Sequence, residues 1–214
     1  MKTTLLIIIA LVLLQKPITA QSFRFGTVAA DVGLGGGIYG ISGHSPVNNS
    51  DVSGIAAIGT LPRLNAEFGL LRFLGAGISY RRGTYGKGSA GPIRGSDVML
   101  RANLHLANKS EKFDLVIGAG YGYSKFNGTY SSTQYINAKG GILNIHVTPH
   151  MYFGKYVGMF VGLGYNKHLF NNVEIKDGST YYTEADGATW KMGGVYFEFG
   201  ISGHFHIFKK KDDK

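Results

Sequence analysis

The sequence predicts an all-β chain, an eight-stranded antiparallel up-and-down transmembrane β-barrel preceded by a cleavable signal peptide. Three observations carry this. First, apolar residues recur at period two: Leu115, Ile117, Ala119, Tyr121 and Tyr123 alternate with Asp114, Val116, Gly118, Gly120, Gly122 and Ser124. Side chains alternate across a strand, so the pattern gives one apolar face and one small or polar face. Second, it recurs about eight times. Third, it lies behind an export signal, and apolar-out, polar-in alternation is what a barrel in lipid requires.

Residues 1–20 form the signal. Met1-Lys2 gives a basic start, and Leu5–Leu14 is an unbroken apolar run too short to span a bilayer as a helix. Pro17 and Ala20 then place cleavage before Gln21, with Ile18 at the third position before the cut. No cysteine is present, which excludes disulfides, thiolate metal sites, thiol catalysis and lipid acylation. Net charge is +9, or +7 once Lys2 and Lys16 leave with the signal. The basic residues are scattered, which with export argues against nucleic acid and toward anionic headgroups or a surface ligand.

Residues 21–208 form the barrel domain. Strand one, about 28–41, sets Ala30, Val32, Leu34 and Ile38 against Asp31, Gly33, Gly35, Gly37 and Tyr39. Strand two, about 55–69, opposes Ile58, Leu64, Ala66 and Phe68 to Gly59, Arg63, Asn65 and Glu67. In strand three, about 73–84, Leu74, Ala76, Ile78 and Tyr80 oppose Gly75, Gly77, Ser79 and Arg81. The cleanest alternation is in strand four, about 96–107, where Val98, Leu100, Ala102, Leu104 and Leu106 oppose Met99, Arg101, Asn103 and His105. Strand five is about 113–126. Strand six, about 141–153, turns Leu143, Ile145, Val147, Met151 and Phe153 away from Asn144, His146, Thr148, His150 and Tyr152. Strand seven covers about 156–168, with Val157, Met159, Val161, Leu163 and Tyr165 outward. Strand eight covers about 191–208, with Val195, Phe197, Phe199, Ile201, Phe205 and Ile207 opposing Glu198, Gly200, Ser202, His204 and His206. Each run exceeds the nine to eleven residues that a tilted membrane strand needs.

Connections alternate in length. Tight links follow strands two, four and six, and longer polar loops follow the others: Ser42–Gly54, Tyr85–Gly95, Asn127–Gly140 and Leu169–Trp190. Short turns at one end and long loops at the other follow the outer-membrane plan. Phe68, Phe73, Phe113, Phe153 and Tyr156 near strand ends fit an interfacial girdle. Pro62 and Pro149 fall on outward positions inside strands two and six, where each is expected to mark a bulge or, alternatively, a break.

The signal, the GAGYGYS run and the stretch PHMYFGKYVGMFVGLGYN resemble the small outer-membrane β-barrel superfamily. That superfamily includes the barrel of outer-membrane protein A, outer-membrane protein X and the opacity-type porin family. The resemblance covers about residues 21–208 and implies the outer membrane of a Gram-negative cell, with membrane lipid and the barrel-assembly machinery as partners. Relatives often end on an aromatic residue; here residues 209–214 (KKKDDK) form a charged tail after Phe208.

The inward list includes Arg63, Arg81 and Arg101 with Asp31, Glu67, Asp114 and Glu198. Eight strands leave an interior just wide enough for side chains, so these charges are expected to pair as a structural plug, with a thin ionic pathway as the alternative. His105, His150, His204 and His206 face inward near the same end, where they either fill space as polar aromatics or converge as a metal or pH site. Lipid-modifying chemistry would need a serine–histidine pair facing lipid, and the nearest approach, Ser202-x-His204, faces inward. Gly35-x-Gly37-x-x-Gly40 spells a dinucleotide fingerprint without the helix that it needs. No cofactor is expected. In the loops, Tyr130, Tyr135, Tyr181, Tyr182 and Trp190 are candidates for an extracellular contact surface. The chain is therefore expected to be a non-enzymatic barrel with a structural or surface-contact role, or else a narrow solute channel.

Overall fold

The computed structural model describes residues 23–58, 61–88, 91–107, 112–129, 134–153 and 156–207. The signal segment and the KKKDDK tail lie outside these, as does Tyr130. Ten strands follow in chain order: β1 (Thr27–Ser45), β2 (Ser50–Ile58), β3 (Arg63–Gly69), β4 (Leu74–Gly88), β5 (Gly91–Ala107), β6 (Phe113–Thr129), β7 (Gln134–Tyr152), β8 (Val157–Asp177), β9 (Thr180–Tyr182) and β10 (Thr189–His206). A 3₁₀ turn, Glu184–Asp186, precedes β10. No helix among the described residues is long and apolar enough to cross a membrane.

Every pairing is antiparallel, and the sheet closes on itself. β1 pairs with β10 from Thr27↔His206 to His44↔Thr189, and β8 pairs with both β7 and β10. β2 and β3 together form one wall between β1 and β4. The ring therefore has the eight walls that the alternation predicts.

Its outer face is apolar. Leu100 is 72% exposed, Ile201 65%, Leu163 63% and Ile145 61%, whereas Arg63, Arg81 and Glu198 are almost fully buried. This is the reverse of a water-soluble protein. On β6 the apolar face runs from Phe113 to Tyr123. At ~3.4 Å per residue and a tilt of ~45°, that gives a belt about 25 Å tall, the height of the hydrocarbon-facing band. Phe73, Phe113, Phe153 and Tyr156 rim it at the short-turn end.

Three expectations are corrected. The four long loops are mostly strand: β1 pairs with β2 to Ser45↔Ser50, β4 with β5 to Gly88↔Gly91, β6 with β7 to Thr129↔Tyr135, and β7 with β8 to Gln134↔Asp177. The walls continue past the lipid as paired hairpins, because pairing satisfies their backbone groups in water as it does in lipid. The prolines behave differently from each other. Pro62 lies where strand two breaks between β2 and β3. Gly33↔Arg63 and Gly37↔Ile58 set three β1 residues against four, so the break also inserts one residue. Pro149 neither breaks nor bulges β7: Leu115↔Pro149 is in register, and Val147↔Leu163 and His150↔Phe160 keep one offset across it. Finally, the interior is polar only in its lower part. Toward the long hairpins it becomes apolar, as described below.

Replacing outward Ile117, near the middle of the apolar belt, with Arg is expected to destabilise the barrel in lipid vesicles by about 2–4 kcal/mol, the penalty for a cation at mid-bilayer. Urea unfolding followed by gel mobility without heating measures it, and a soluble protein with an exposed Ile would show almost no change.

Candidate functional site

Six of the seven predicted interior charges meet, in two groups. Arg63 sits at the centre of the first. It donates to Glu198 and, at 3.3 Å, to Asp31, and its guanidinium lies 4.7 Å from the Phe160 ring centre. Arg81 reaches the other oxygen of Glu198 at 3.4 Å and lies 4.1 Å above the ring of Tyr196. Asp31 also accepts from Asn65 at 3.0 Å and from Ser202 at 2.7 Å. One carboxylate bridging two guanidiniums, with every participant buried, is a geometry that a single substitution would leave uncompensated. Glycines on neighbouring strands leave the room: a Cβ on Gly33 would lie 2.6 Å from the Phe160 ring.

The second group is built on His105. Its Nδ1 faces Asp114 at 2.6 Å and its Nε2 faces Glu67 at 2.8 Å, while Phe23 stacks on the ring at 3.4 Å. Both ring nitrogens thus face carboxylate oxygens, so the imidazole bridges two acidic side chains. Asn103 donates to the same Glu67 at 2.6 Å. Arg101, by contrast, contacts His146 and is in no ion pair among the described residues.

The four candidate histidines do not form one site. His105 belongs to the carboxylate pair. His150 packs edge-on to Phe160, and His204 edge-on to Tyr152 and 5.8 Å from His206, which bonds Thr27. Among the described residues, no cluster of His, Asp and Glu has the arrangement to hold a metal.

Above the charges lies a layer that sequence reasoning missed. Tyr39 meets Tyr85 edge to face, Tyr85 lies tilted against Phe126, and Phe126 meets His168 edge to face; His168 lies 3.5 Å from Asp97. Asn144 donates to Asn166 at 2.8 Å, and Asn166 to the Tyr39 hydroxyl at 2.7 Å. Higher still, Ile136, Ala138, Val173, Ile175, Trp190 and Met192 form an apolar cluster. Val173 and Ile175 reach it through a bulge. The β7–β8 offset changes between Lys139↔Asn172 and Gly140↔Phe170, leaving Asn171 unpaired and reversing which β8 residues face in.

No family model matches the chain, and no curated protein does. Solved structures match its fold. The outer-membrane protein AlkL, determined in lipid bilayers, superposes with a TM-score of 0.58 at 12% identity, covering 92% of this chain and 99% of that one. The outer-membrane protein OprG of Pseudomonas aeruginosa gives 0.56 at 12%, covering 86% and 98%. The outer-membrane protease OmpT of Escherichia coli gives 0.52 at 12%, covering 84% and 97%. The chain has the fold of the outer-membrane β-barrels. Identities this low carry the fold and no activity, and a protease among the matches shows that this architecture does not by itself decide chemistry.

Within the barrel, Ser202 is fully buried and its hydroxyl donates to Asp31, so Ser202-x-His204 presents no nucleophile to lipid. Of the candidate contact aromatics, Tyr135 and Tyr181 are exposed on the hairpins, Tyr181 with Lys176 5.1 Å from its ring, and Tyr182 is half-buried. Trp190 is a correction: only 5% exposed, it belongs to the apolar cluster, because its even-numbered position on β10 faces inward like Met192 and Glu198.

Glu198→Gln, which leaves two buried guanidiniums without their shared charge, is expected to destabilise the barrel by about 3–5 kcal/mol. Asp51→Asn, at the surface beside His44, is expected to change stability by less than ~0.5 kcal/mol. Trp190, the single tryptophan, reports both by its fluorescence during denaturant unfolding.

Proposed function

We propose that the barrel is a sealed, non-enzymatic element of the outer membrane whose projecting hairpins contact an extracellular ligand. The observation that carries this is the stacked filling of its interior. The His105 group, the Arg63–Glu198–Arg81 group, the Tyr39–Tyr85–Phe126–His168 layer and the Trp190 cluster succeed one another along the axis. An interior of this width has little space once such side chains occupy it. The rigid walls extend beyond the lipid and present Tyr135 and Tyr181, amphipathic rings suited to contact at low entropic cost.

One observation favours a narrow channel instead. Arg81 Nη1, Arg101 Nε, Thr148 Oγ1 and Asp97 Oδ2 are buried without a hydrogen-bond partner among the described residues. Polar atoms of this kind take water, and a file of them would suit a small hydrated solute.

The two readings separate in planar bilayers. The purified barrel is expected to give no conductance steps above a protein-free bilayer; reproducible steps that need the folded barrel, absent with heat-denatured protein, would establish the channel instead. Excising the tip of the β6–β7 or β8–β10 hairpin is expected to leave heat-modifiable gel mobility intact and to reduce attachment of expressing cells to surfaces. Undiminished attachment in both would remove the contact role.

A further inference from the structure

The apolar belt ends abruptly at the long-hairpin end. On six neighbouring walls the outward residue at or just above that edge is basic: Arg82 on β4, Arg94 on β5, Lys125 on β6, Lys139 on β7, Lys167 on β8 and Lys191 on β10. The walls they cap are apolar below, as at Tyr80, Val98, Tyr123, Leu143, Tyr165 and Val195. A collar of cations at the edge of an apolar belt is placed to meet lipid phosphates.

The collar is not uniform. Between β7 and β1, across β8 and β10, the outer wall is hollowed into an open groove of about 580 Å³. Its floor is three outward glycines, Gly40, Gly141 and Gly193. A Cβ on Gly40 would find its nearest neighbour 3.8 Å away, whereas one on Gly193 would meet the Tyr165 hydroxyl at 2.9 Å and one on Gly141 the Tyr121 hydroxyl at 3.4 Å. Two phenols thus lean into the hollow. Lys167 is in register with Gly193, and Lys191 stands two residues from Gly193 on the same face of β10. Cross-strand neighbours so placed are about 7–8 Å apart or closer, within reach of one phosphate for two long side chains. Among the described residues neither lysine is in an ion pair. The acidic Glu174 and Asp177 lie beyond the Asn171 bulge, toward the hairpin tip.

We propose that this groove binds a phosphorylated lipid of the outer leaflet. Lys167 and Lys191 would take the phosphate, the Tyr121 and Tyr165 hydroxyls would donate to headgroup oxygens, and the acyl chains would lie along Leu143, Leu163 and Val195 below. Two ammoniums converge where a headgroup must sit, and the glycine floor admits bulk where side chains would exclude it. The assignment uses only the barrel's exterior and is independent of the interior and hairpin roles.

Native mass spectrometry of the detergent-solubilised barrel, titrated with bisphosphorylated lipid A, tests it. The wild type is expected to retain this lipid about thirtyfold better than the same lipid stripped of phosphate, the ratio that two lysines at a membrane surface give. K167S/K191S is expected to lose the preference, while R82S/R94S, on β4 and β5 away from the groove, keeps it. Gly193→Val, which fills the floor and removes no charge, is expected to weaken retention as well. Unheated gel mobility and Trp190 fluorescence verify folding of each variant. Equal retention of both lipids by the wild type would overturn the proposal, as would a K167S/K191S variant indistinguishable from R82S/R94S. Displacement of the lipid by millimolar inorganic phosphate would overturn it too, by showing a free-anion site without the acyl contribution.

Discussion

The whole structure depends on one constraint: in hydrocarbon, each backbone N–H and C=O must find a partner within the protein. The pairing of β1 with β10 meets it. Without that seam both strands would present open edges to lipid; with it, chain start and chain end are neighbours over their full membrane height. The one interrupted wall obeys the same rule. Pro62 has no N–H to give, yet its carbonyl accepts from Arg82 at 3.1 Å, and Leu61 beside it donates to Gly35 at 2.8 Å. Leu61 and Pro62, which lead into β3, are therefore tied to the walls on both sides.

Closure at eight walls fixes the width, and the width dictates the interior chemistry. Arg63 and Arg81, held in so narrow a tube, share Glu198, and Asp31 completes the pairing of Arg63. Aromatic faces supply the remaining partners, Phe160 for Arg63 and Tyr196 for Arg81. Inward glycine is the complement of these large groups. Gly33 and Gly200 flank the Phe160 ring, and added methyls there would lie 2.6 and 2.8 Å from it. A buried ion pair contributes modestly to net stability, so what this network chiefly provides is a unique register.

Where lipid makes the two faces of a strand unlike, the sequence was informative. Leu104, Ile117, Val161 and Phe199 are outside and Arg101, Asp114 and Glu198 inside because period-two alternation leaves no other assignment in hydrocarbon. Legibility failed where that demand ends. The hairpin walls carry residues such as His44, Asn127 and Lys139, which need no apolar side, so paired strand looks like loop. The interior partners of Asp97, His168 and Asn166 come from different walls, and only three-dimensional register brings them together. Asn171 illustrates a further limit. One unpaired residue reverses the facing of everything after it, and adjacent asparagines give no sign of which is extra.

The apolar upper cluster then follows from the same solvent logic applied twice. Below the basic collar the surroundings are lipid, so apolar residues face out and polar ones face in. Above it the surroundings are water, and the barrel becomes an ordinary β-structure with its greasy side inward. On β10 this inversion needs no change of phase: inward Glu198 gives way to Tyr196, Met192 and Trp190, while outward Val195 gives way to Lys191. On β8 the chain changes phase instead, so that Val173 and Ile175 take the interior after the bulge and Glu174 and Lys176 the exterior. Two different local devices produce the same reversal at the same height. The level at which the surroundings change, rather than any single strand's pattern, therefore sets where the polar plug ends and the aromatic layer begins.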